Sequence, residues 1–388
     1  MKKLLFISPV FPNANGPGRE KRAHQWITKL AKEYEIHLLV VTPLLDRNPG
    51  HIEAVSSVKV ITLETSSQPK LLEIVRFLFR RKSVSKLFGW YPLSLFNKEE
   101  LTSFYKHVPF DTILCFRLYL MDFALYLKEL TKPSRTELDI DDLESLTHYK
   151  IGKLFIKNNH VKNGVRFLLT SYHFLEAEKR IQAAFDHVYV CSQKDQATLQ
   201  KKLKNASIKI MPNRIHGSNK QLRLPGNPFV LLFVGSLDYY PNEEAVTWFI
   251  REVLPKLRVS KDQWELHVVG YSSKTKFIKL LNRTDGVIYH GQVEDLTPIY
   301  ANAYQIISPL HAGGGTKLKI MEAMMYGRPI IATNESVYGL ELVPYEHYIP
   351  AETAKDFLVA CKRLSRDSTL SQTLVQKAKE VLMEKYHY

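Results

Sequence analysis

The chain has 388 residues, of which 45% are hydrophobic and 24% charged, and its formal net charge is +15 at pH 7. This length suits two domains of similar size, and the composition is typical of a soluble globular protein. No apolar run approaches the roughly 20 residues of a membrane-spanning helix, and the apolar run after the first two lysines is too short for a signal peptide.

Cysteine usage and charge distribution bear on the compartment and the partners. Cys115, Cys191 and Cys361 are isolated, odd in number and without metal or redox spacing, which is typical of reduced thiols in the cytoplasm. Residues 1–212 hold 33 Lys+Arg and 21 Asp+Glu, a net +12, whereas residues 213–388 hold 21 and 18, a net +3. An anionic partner or surface is therefore expected to contact mainly the N-terminal half.

The N-terminal half alternates apolar, β-rich runs with helical patterns, which indicates a doubly wound parallel sheet. A helix is predicted over 19–34, after the first strand. The predicted strands are 3–8, 37–42, 58–63, 111–116, 137–140, 187–191 and 208–211.

Ligands of such sheets bind at the carboxyl ends of the strands, which makes the loop 13–19 and Arg117 candidates. The loop contains Gly-Pro-Gly-Arg, which is not a dinucleotide fingerprint and is equally typical of a turn before a capped helix. Arg117 directly follows a strand, and a surface arginine and a ligand-facing arginine remain equal alternatives.

Asp139, Asp141 and Asp142 form a carboxylate cluster, and clustered carboxylates bind hard cations. Their alternation with apolar residues instead indicates the end of a strand that opens into a cleft. Asp141 or Asp142 could also cap the following helix.

Two stretches combine basic and aromatic residues. Residues 70–90 hold six basic residues, one acid and four large aromatic side chains, a pattern that suits anionic lipid. Nucleic-acid binding and an ordinary amphipathic helix are the alternatives. Residues 150–174 are a second candidate, which we rank lower because their apolar face is expected to pack inside the domain.

A linker is predicted over 213–228, a stretch rich in Pro and Gly with no strong period. The N-terminal domain is thus expected to span 1–212. A second alternating set begins with the continuous apolar strand at 229–234, of the kind buried on both faces. Glycines follow its strands at Gly235, Gly270 and Gly291, so a second doubly wound domain is predicted over 229–367.

Residues 308–333 hold the strongest functional signal: a strand, the triple glycine Gly313–Gly315, a helix from Thr316 to 327 and another strand. This layout places backbone N–H groups and a helix N-terminus against an anion, most often a phosphate. Lys317 and Lys319 are predicted in the first helical turn, where a bound anion would offset their unfavourable interaction with the helix dipole. Glu322 lies one turn on, although a solvated Lys319–Glu322 pair is the simpler alternative.

The stretch resembles the diphosphate- and ribose-binding loop-helix of retaining glycosyltransferases of family 4. Their motif is Glu, seven residues and a second Glu; here Glu322 is the second and Gly314 stands at the first, as in a branch that carries Gly-Gly-Gly-Thr-x-x-Lys. The resemblance implies the GT-B fold, with two facing Rossmann-like domains and an interdomain cleft. It further implies transfer from a UDP- or GDP-linked sugar with no other cofactor and no metal.

The resemblance also implies roles for single residues. Lys319, Glu322 and Arg117 become the candidate catalytic residues, and Gly18, Arg19 and Asp141 the candidate acceptor contacts. Because enzymes with this fold do not generally need a metal, the resemblance favours acceptor contact or a general base over a metal site for the cluster of Asp139, Asp141 and Asp142. Ser236 stands where many relatives carry an Arg, so Lys319 is expected to neutralise the diphosphate instead. The candidate donor-binding residues are Gly235, Ser236, Gly270, Val293, Gly313, Gly314, Gly315, Thr316 and Lys317.

The resemblance implies a saccharide or lipid-linked acceptor, cell-surface glycan biosynthesis, and a last helix, 368–388, that crosses back to the N-terminal domain. The expected location is cytoplasmic, with 70–90 as the candidate contact to the inner membrane face. Non-catalytic GT-B scaffolds and sugar-nucleotide epimerases are alternatives. A nucleic-acid-binding protein is a further alternative that no recognised motif supports, so no nucleic-acid partner is expected.

Overall fold

The structure is a computed structural model that describes residues 1–42, 54–62, 98–217, 228–259, 262–315 and 317–388, with the single residues 52, 93 and 225. The predicted segment 70–90, Thr316 and much of the predicted linker lie outside the described residues. The chain divides into two compact units, one of Met1–Gly152 and Asn159–Pro212, the other of Lys153–Asn158 and Asn213–Tyr388.

The first unit is built on a seven-stranded, all-parallel sheet in the order β3-β2-β1-β4-β5-β6-β7. Every predicted strand of this half is present, with shifted ends. The strands are β1 (Lys2–Ser8), β2 (Tyr34–Thr42), β3 (Ser57–Thr62), β4 (Thr112–Phe116), β5 (Arg135–Asp141), β6 (His187–Val190) and β7 (Ile208–Ile210).

Helices connect these strands and cover both faces of the sheet. In β1, Leu4 and Phe6 join one core cluster and Leu5 and Ile7 another, as the alternation of side chains along a strand requires. The helices are α1 (Gly18–Leu30), α2 (Lys98–Tyr105), α3 (Met121–Thr131), α4 (Glu144–Lys157), α5 (Val161–Ala184) and α6 (Gln193–Lys202).

The second unit has a six-stranded, all-parallel sheet in the order β10-β9-β8-β11-β12-β13. Its strands are β8 (Phe229–Val234), β9 (Trp264–Val269), β10 (Val287–Gly291), β11 (Gln305–Ser308), β12 (Ile330–Ala332) and β13 (Ile349–Pro350). Its helices are α7 (Tyr240–Glu252), α8 (Leu254–Arg258), α9 (Thr275–Arg283), α10 (Thr297–Asn302), α11 (Leu318–Met325), α12 (Ala354–Arg366) and α13 (Ser368–Val381).

Each sheet reverses its strand order beside its first strand, because β1 lies between β2 and β4, and β8 lies between β9 and β11. Ligands of open α/β sheets bind at the carboxyl ends of strands beside such a reversal. The loops that follow β1 and β4, and those that follow β8 and β11, are therefore the places in which to look for a site.

The C-terminal residues group with the second unit, where Ala378, Leu382 and Tyr386 join a core cluster with residues of α11. A π-helical turn, Leu382–Tyr386, follows α13. Among the described residues, no helix has the length and apolarity that a membrane crossing needs.

Candidate functional site

The glycine loop after β11 leads into α11, but the helix begins later than the sequence predicts. It starts at Leu318, with Lys317 as its N-cap in an extended conformation, whereas the prediction placed the start at Thr316. Gly315 has a φ of +63°, a left-handed conformation that favours glycine. The N–H group of Ile320 already donates to the carbonyl oxygen of Lys317 at 3.0 Å, so Leu318 and Lys319 carry the first-turn N–H groups that suit an anion.

Lys317 belongs to the loop rather than to the first helical turn, which corrects its predicted position. Its side chain is buried, and its ammonium donates hydrogen bonds to the carbonyl oxygens of Gly314 and, at 3.1 Å, Gly315. Lys317 thus fixes the shape of the glycine loop.

Lys319 lies at the turn that follows β8. Its ammonium donates a hydrogen bond to Asn242 Oδ1 at 2.7 Å and lies 4.3 Å from the centre of the Phe233 ring. A side chain on Gly235 would reach within 3.0 Å of this ammonium, so glycine keeps the space open. Strands β8 and β11 are neighbours in the sheet, so the loop and helix that follow β11 place Lys319 beside the turn that follows β8.

The pKa of Lys319 is lowered to about 7, mainly by burial and also by the nearby Lys317, while Glu322 acts in the opposite direction. A bound anion would favour the charged ammonium. The amine is thus poised to change its charge near neutral pH when an anion arrives.

Asn242 is a residue that the sequence reasoning missed. It is buried near the start of α7, where its Nδ2 donates to the carbonyl oxygen of Ser236 at 2.8 Å while its Oδ1 accepts from Lys319. One amide therefore ties the turn after β8 to the lysine of α11. A polar side chain seven residues after the strand-end glycine Gly235, at the start of the next helix, was the available signal.

The turn after β8 packs tightly on the turn after β9. A side chain on Gly270 would lie 2.0 Å from the carbonyl oxygen of Gly235, so only glycine fits there. Ser236 is exposed at this edge. Val293, predicted near a nucleobase, is partly buried against the core cluster that includes Tyr300.

Glu322 faces aromatic residues of α10 and the end of its own helix. It is 9% exposed. Burial raises the pKa of the Tyr300 hydroxyl, and the nearby Glu322 carboxylate raises it further. Tyr300 stacks on Tyr326 at a centroid distance of 4.4 Å, and the Tyr326 hydroxyl lies 3.3 Å from Thr297 Oγ1. Glu322 lies one turn beyond Lys319 on α11, beside this aromatic pair.

His311 is a second residue that the sequence reasoning missed. It precedes the glycine loop, and its Nδ1 lies 3.1 Å from Glu244 Oε2 of α7. The Trp248 ring contacts the imidazole edge-on at 5.0 Å between centroids. Glu244 and Trp248 fix the orientation of the imidazole beside the loop.

In the first unit, Arg117 lies at the carboxyl end of β4, as predicted, and it is 3% exposed. It is thus not a surface arginine. Its Nη1 donates to Asp141 and Asp142, each at 2.8 Å, and its Nη2 donates to Glu144. The three carboxylates are ordered around one guanidinium.

Arg117 and Asp141 are both non-glycine residues with positive φ, at +87° and +60°. Such conformations cost about 1–3 kcal/mol each and cluster at functional sites. The two residues end neighbouring strands and touch each other, so the strain is concentrated at the carboxyl edge of this sheet. Burial raises the pKa of Asp141, while Arg22 and Arg117 act against that rise.

Asp139 has a structural role that the sequence reasoning did not assign. It accepts hydrogen bonds from Arg22 Nε at 2.7 Å, Arg22 Nη2 at 2.8 Å and Trp26 Nε1 at 2.6 Å. Both side chains of the Arg22–Asp139 pair are fully buried. An arginine one helical turn before a buried tryptophan, on the inner face of α1, was the signal for this pair.

Gly18 is exposed and begins α1 after Pro17. Tyr119 raises the pKa of the Arg19 guanidinium, and Glu144 and Asp142 also raise it, so Arg19 lies beside the Arg117 cluster. The acidic cluster is thus paired with arginines. In the part of the chain that the structure describes, no group of three or more His, Cys, Asp or Glu residues is arranged to hold a metal ion.

Residues 228–367 match a protein-family model described as "Glycosyl transferases group 1". A relative from Klebsiella pneumoniae, described as an uncharacterized 44.6 kDa protein in the cps region, is 22% identical over 263 residues. This match covers 66% of the chain and 65% of the relative, so it spans somewhat less than two thirds of that protein.

Solved structures resemble the chain over its whole length. Sucrose-phosphate synthase from Thermosynechococcus elongatus has a TM-score of 0.72 at 17% identity and covers 100% of this chain and 95% of its own. Anabaena Alr3699/HepE, solved in complex with UDP-glucose, has a TM-score of 0.64 at 14% identity, with coverages of 100% and 96%. The chain has the GT-B fold of two parallel-sheet α/β domains, as predicted.

Proposed function

We propose that this chain, a GT-B protein whose residues 228–367 match the group 1 glycosyltransferase model, transfers a sugar from a nucleoside-diphosphate sugar to a saccharide or lipid-linked acceptor. The observation that carries the proposal is the position of Lys319. Lys319 belongs to the helix that follows the three glycines, and its ammonium reaches the turn after β8, 2.7 Å from Asn242 Oδ1. An amine, a glycine loop and a helix N-terminus together suit a diphosphate.

The diphosphate would bind at Gly313–Gly315 and the start of α11, and the ribose hydroxyls would bind Glu322. When the sugar leaves, negative charge develops on the phosphate oxygens, and Lys319 would stabilise that charge. Groups oriented in advance toward developing charge are usually the largest catalytic contribution. The same charge neutralisation allows transfer without a metal, which we propose as well.

Retention of anomeric configuration is also part of the proposal, and its support is the likeness of residues 313–322 to the loop-helix of retaining enzymes. No dedicated nucleophile is required if the acceptor attacks the face from which the leaving group departs. In the first unit, we propose that Arg117 contacts the donor sugar and that Gly18, Arg19 and Asp141 contact the acceptor. The net charge of +12 over residues 1–212 suits an anionic acceptor.

A non-catalytic GT-B scaffold is the second candidate. It is favoured by Gly314 in place of the first Glu of the motif, by Ser236 where many relatives carry an Arg, and by the lack of a Lys in the region 239–241. A scaffold that has lost its donor site would not respond to a nucleotide sugar.

Thermal unfolding with UDP- and GDP-linked sugars separates the two candidates. A nucleotide sugar present at a hundred times its dissociation constant should stabilise the protein by about 2.7 kcal/mol, because it binds only the folded state. We expect one nucleotide series to raise the melting temperature and the other to have little effect. No shift with any sugar, together with no release of nucleotide, would favour the scaffold.

Donor affinity should depend on pH through Lys319, whose pKa is about 7 in the free protein. Only the protonated amine attracts the diphosphate, so the affinity is expected to fall as pH rises above 7 and to be constant below it. The dissociation constant of UDP-glucose should rise by roughly 25-fold between pH 6.5 and 8.5. The diphosphate diester of this ligand does not titrate in that range, so titration calorimetry at each pH isolates the protein groups.

The variant Asn242→Asp is the matched control for this pH dependence. It keeps the shape of the side chain and places a carboxylate beside Lys319, which raises the pKa of the amine. It also loses the hydrogen bond that Nδ2 donates to the Ser236 carbonyl oxygen, so the pH at which affinity falls is compared, not the affinity itself. The fall in affinity should then move to higher pH. An affinity that is independent of pH in the wild type would contradict the assignment of Lys319 to the diphosphate.

A further inference from the structure

The stretch from Ser145 through Leu175 is unusual in its charge. It contains no Asp or Glu, and it covers most of α4 and the first half of α5. Its five basic residues are Lys150, Lys153, Lys157, Lys162 and Arg166. Since proteins usually intersperse both signs of charge on their surfaces, this one-signed stretch is suited to an anionic partner.

Large apolar side chains are exposed along the same stretch. Tyr149 is 47% exposed, Val161 58%, Val165 48% and Tyr172 58%. The sequence predicted that the apolar face of this region packs inside the domain. The helices do bury such a face, with Ile151 and Phe174 among its residues, but they leave a second set of apolar side chains at the surface.

The two helices pack antiparallel, which fixes where these exposed side chains lie. Ser171 Oγ donates to the carbonyl oxygen of Ser145 at 2.7 Å, and His148 stacks on Phe167 at 5.5 Å. Gly152 packs on Gly164, since a side chain there would lie 3.1 Å from the Gly164 carbonyl oxygen.

The exposed residues follow these contact residues by one position: Tyr149 follows His148, Val165 follows Gly164 and Tyr172 follows Ser171. One position is a rotation of about 100° around a helix axis. In an antiparallel pair, equal rotations away from the contact line point to the same side of the layer. The exposed side chains of α4 and α5 therefore share one face.

We propose that this face of α4 and α5 binds an anionic lipid bilayer. Basic residues beside exposed tyrosine and aliphatic side chains suit the headgroup region, where the amines meet lipid phosphates and the apolar groups enter the acyl boundary. The aliphatic Val161 and Val165 favour lipid over nucleic acid, because a phosphate backbone offers them no apolar contact. From Val161 to Tyr172 the stripe is about 16 Å long, at 1.5 Å per residue.

Vesicle flotation tests the proposal without any transfer assay, so its failure is distinguishable from failure of the proposed enzyme activity. The full chain should float with phosphatidylcholine vesicles that contain phosphatidylglycerol and remain unbound with phosphatidylcholine alone. The triple variant Lys150→Gln, Lys162→Gln and Arg166→Gln should bind these vesicles about a hundredfold more weakly, since each basic residue near an anionic surface contributes about fivefold to binding.

The matched control neutralises three exposed lysines elsewhere in the first unit, Lys106, Lys201 and Lys204, and should retain binding. A second variant, Val165→Ser with Tyr172→Ser, leaves the charge unchanged and should weaken binding about tenfold. Circular dichroism checks that each variant is folded.

Three outcomes would overturn the proposal. The first is equal binding to neutral and anionic vesicles. The second is wild-type binding by both α4–α5 variants. The third is loss of binding only when Arg80, Arg81 and Lys82 are neutralised, in the segment outside the described residues.

Discussion

Replacing Lys319 with methionine is expected to slow nucleotide release from the donor sugar by roughly a hundred- to a thousandfold. This is the usual cost of removing one group that stabilises charge in the transition state. The Lys319 ammonium lies at the turn after β8 and donates to Asn242 at 2.7 Å. We propose that it takes the place of the Arg that many relatives carry at Ser236 and of their Lys in the region 239–241. The measurement is the rate of nucleoside-diphosphate formation at saturating donor.

The stability of this variant should not fall, because methionine can occupy the space over Phe233 without the cost of burying an amine. Lys276→Met, at an exposed lysine of α9 in the same unit, is the matched control and should keep the wild-type rate. A Lys319→Met rate within threefold of the wild type would exclude Lys319 as the group that stabilises the leaving diphosphate.

Replacing Asp139 with alanine is expected to lower the free energy of unfolding by about 3–5 kcal/mol, the usual cost of breaking a buried ion pair from one side. The Arg22 guanidinium is fully buried and would lose its bidentate partner, and the Trp26 indole would lose its acceptor. Urea unfolding followed by circular dichroism measures the change.

Glu176→Ala is the surface control for this experiment. Glu176 pairs with Lys179 at 2.7 Å, but both side chains are about half exposed, so the loss should stay below about 1 kcal/mol. The double variant Arg22→Met with Asp139→Ala should recover part of the lost stability, because the unpaired buried charge is then removed. Equal losses for Asp139→Ala and Glu176→Ala would mean that the buried pair does not stabilise the fold.

Much of the fold could be predicted from the sequence because its signals are local. The apolar run at 229–234 and the glycine that follows it predict a buried strand and its end without reference to any other part of the chain. Helix ends were predicted less well. The start of α11 moved from Thr316 to Leu318 because the side chain of Lys317 bonds to the loop carbonyls, a contact that no local pattern encodes.

The candidate site was likewise predicted where its signals are local and missed where they are not. The glycine loop, Lys319 and Glu322 were identified because they lie within one continuous stretch of ten residues, 313–322, at helical spacing. Asn242 and Glu244 were missed, since each is far along the chain from its partner, Lys319 or His311. The tertiary structure also pairs the acidic cluster with distant arginines, since Arg22 donates to Asp139 and Arg117 donates to Asp141 and Asp142.

The sequence by itself determined the two alternating sets of strands and helices and the glycine-rich loop, because strand burial, turns and helical periodicity are properties of neighbouring residues. Only the tertiary structure decided which distant side chains meet. Parallel strands carry their carboxyl ends to one edge of a sheet, and the order of those strands is set by packing of the whole domain. That order places Asn242 beside Lys319 and Arg117 beside Asp141, and so fixes the charges of the candidate site.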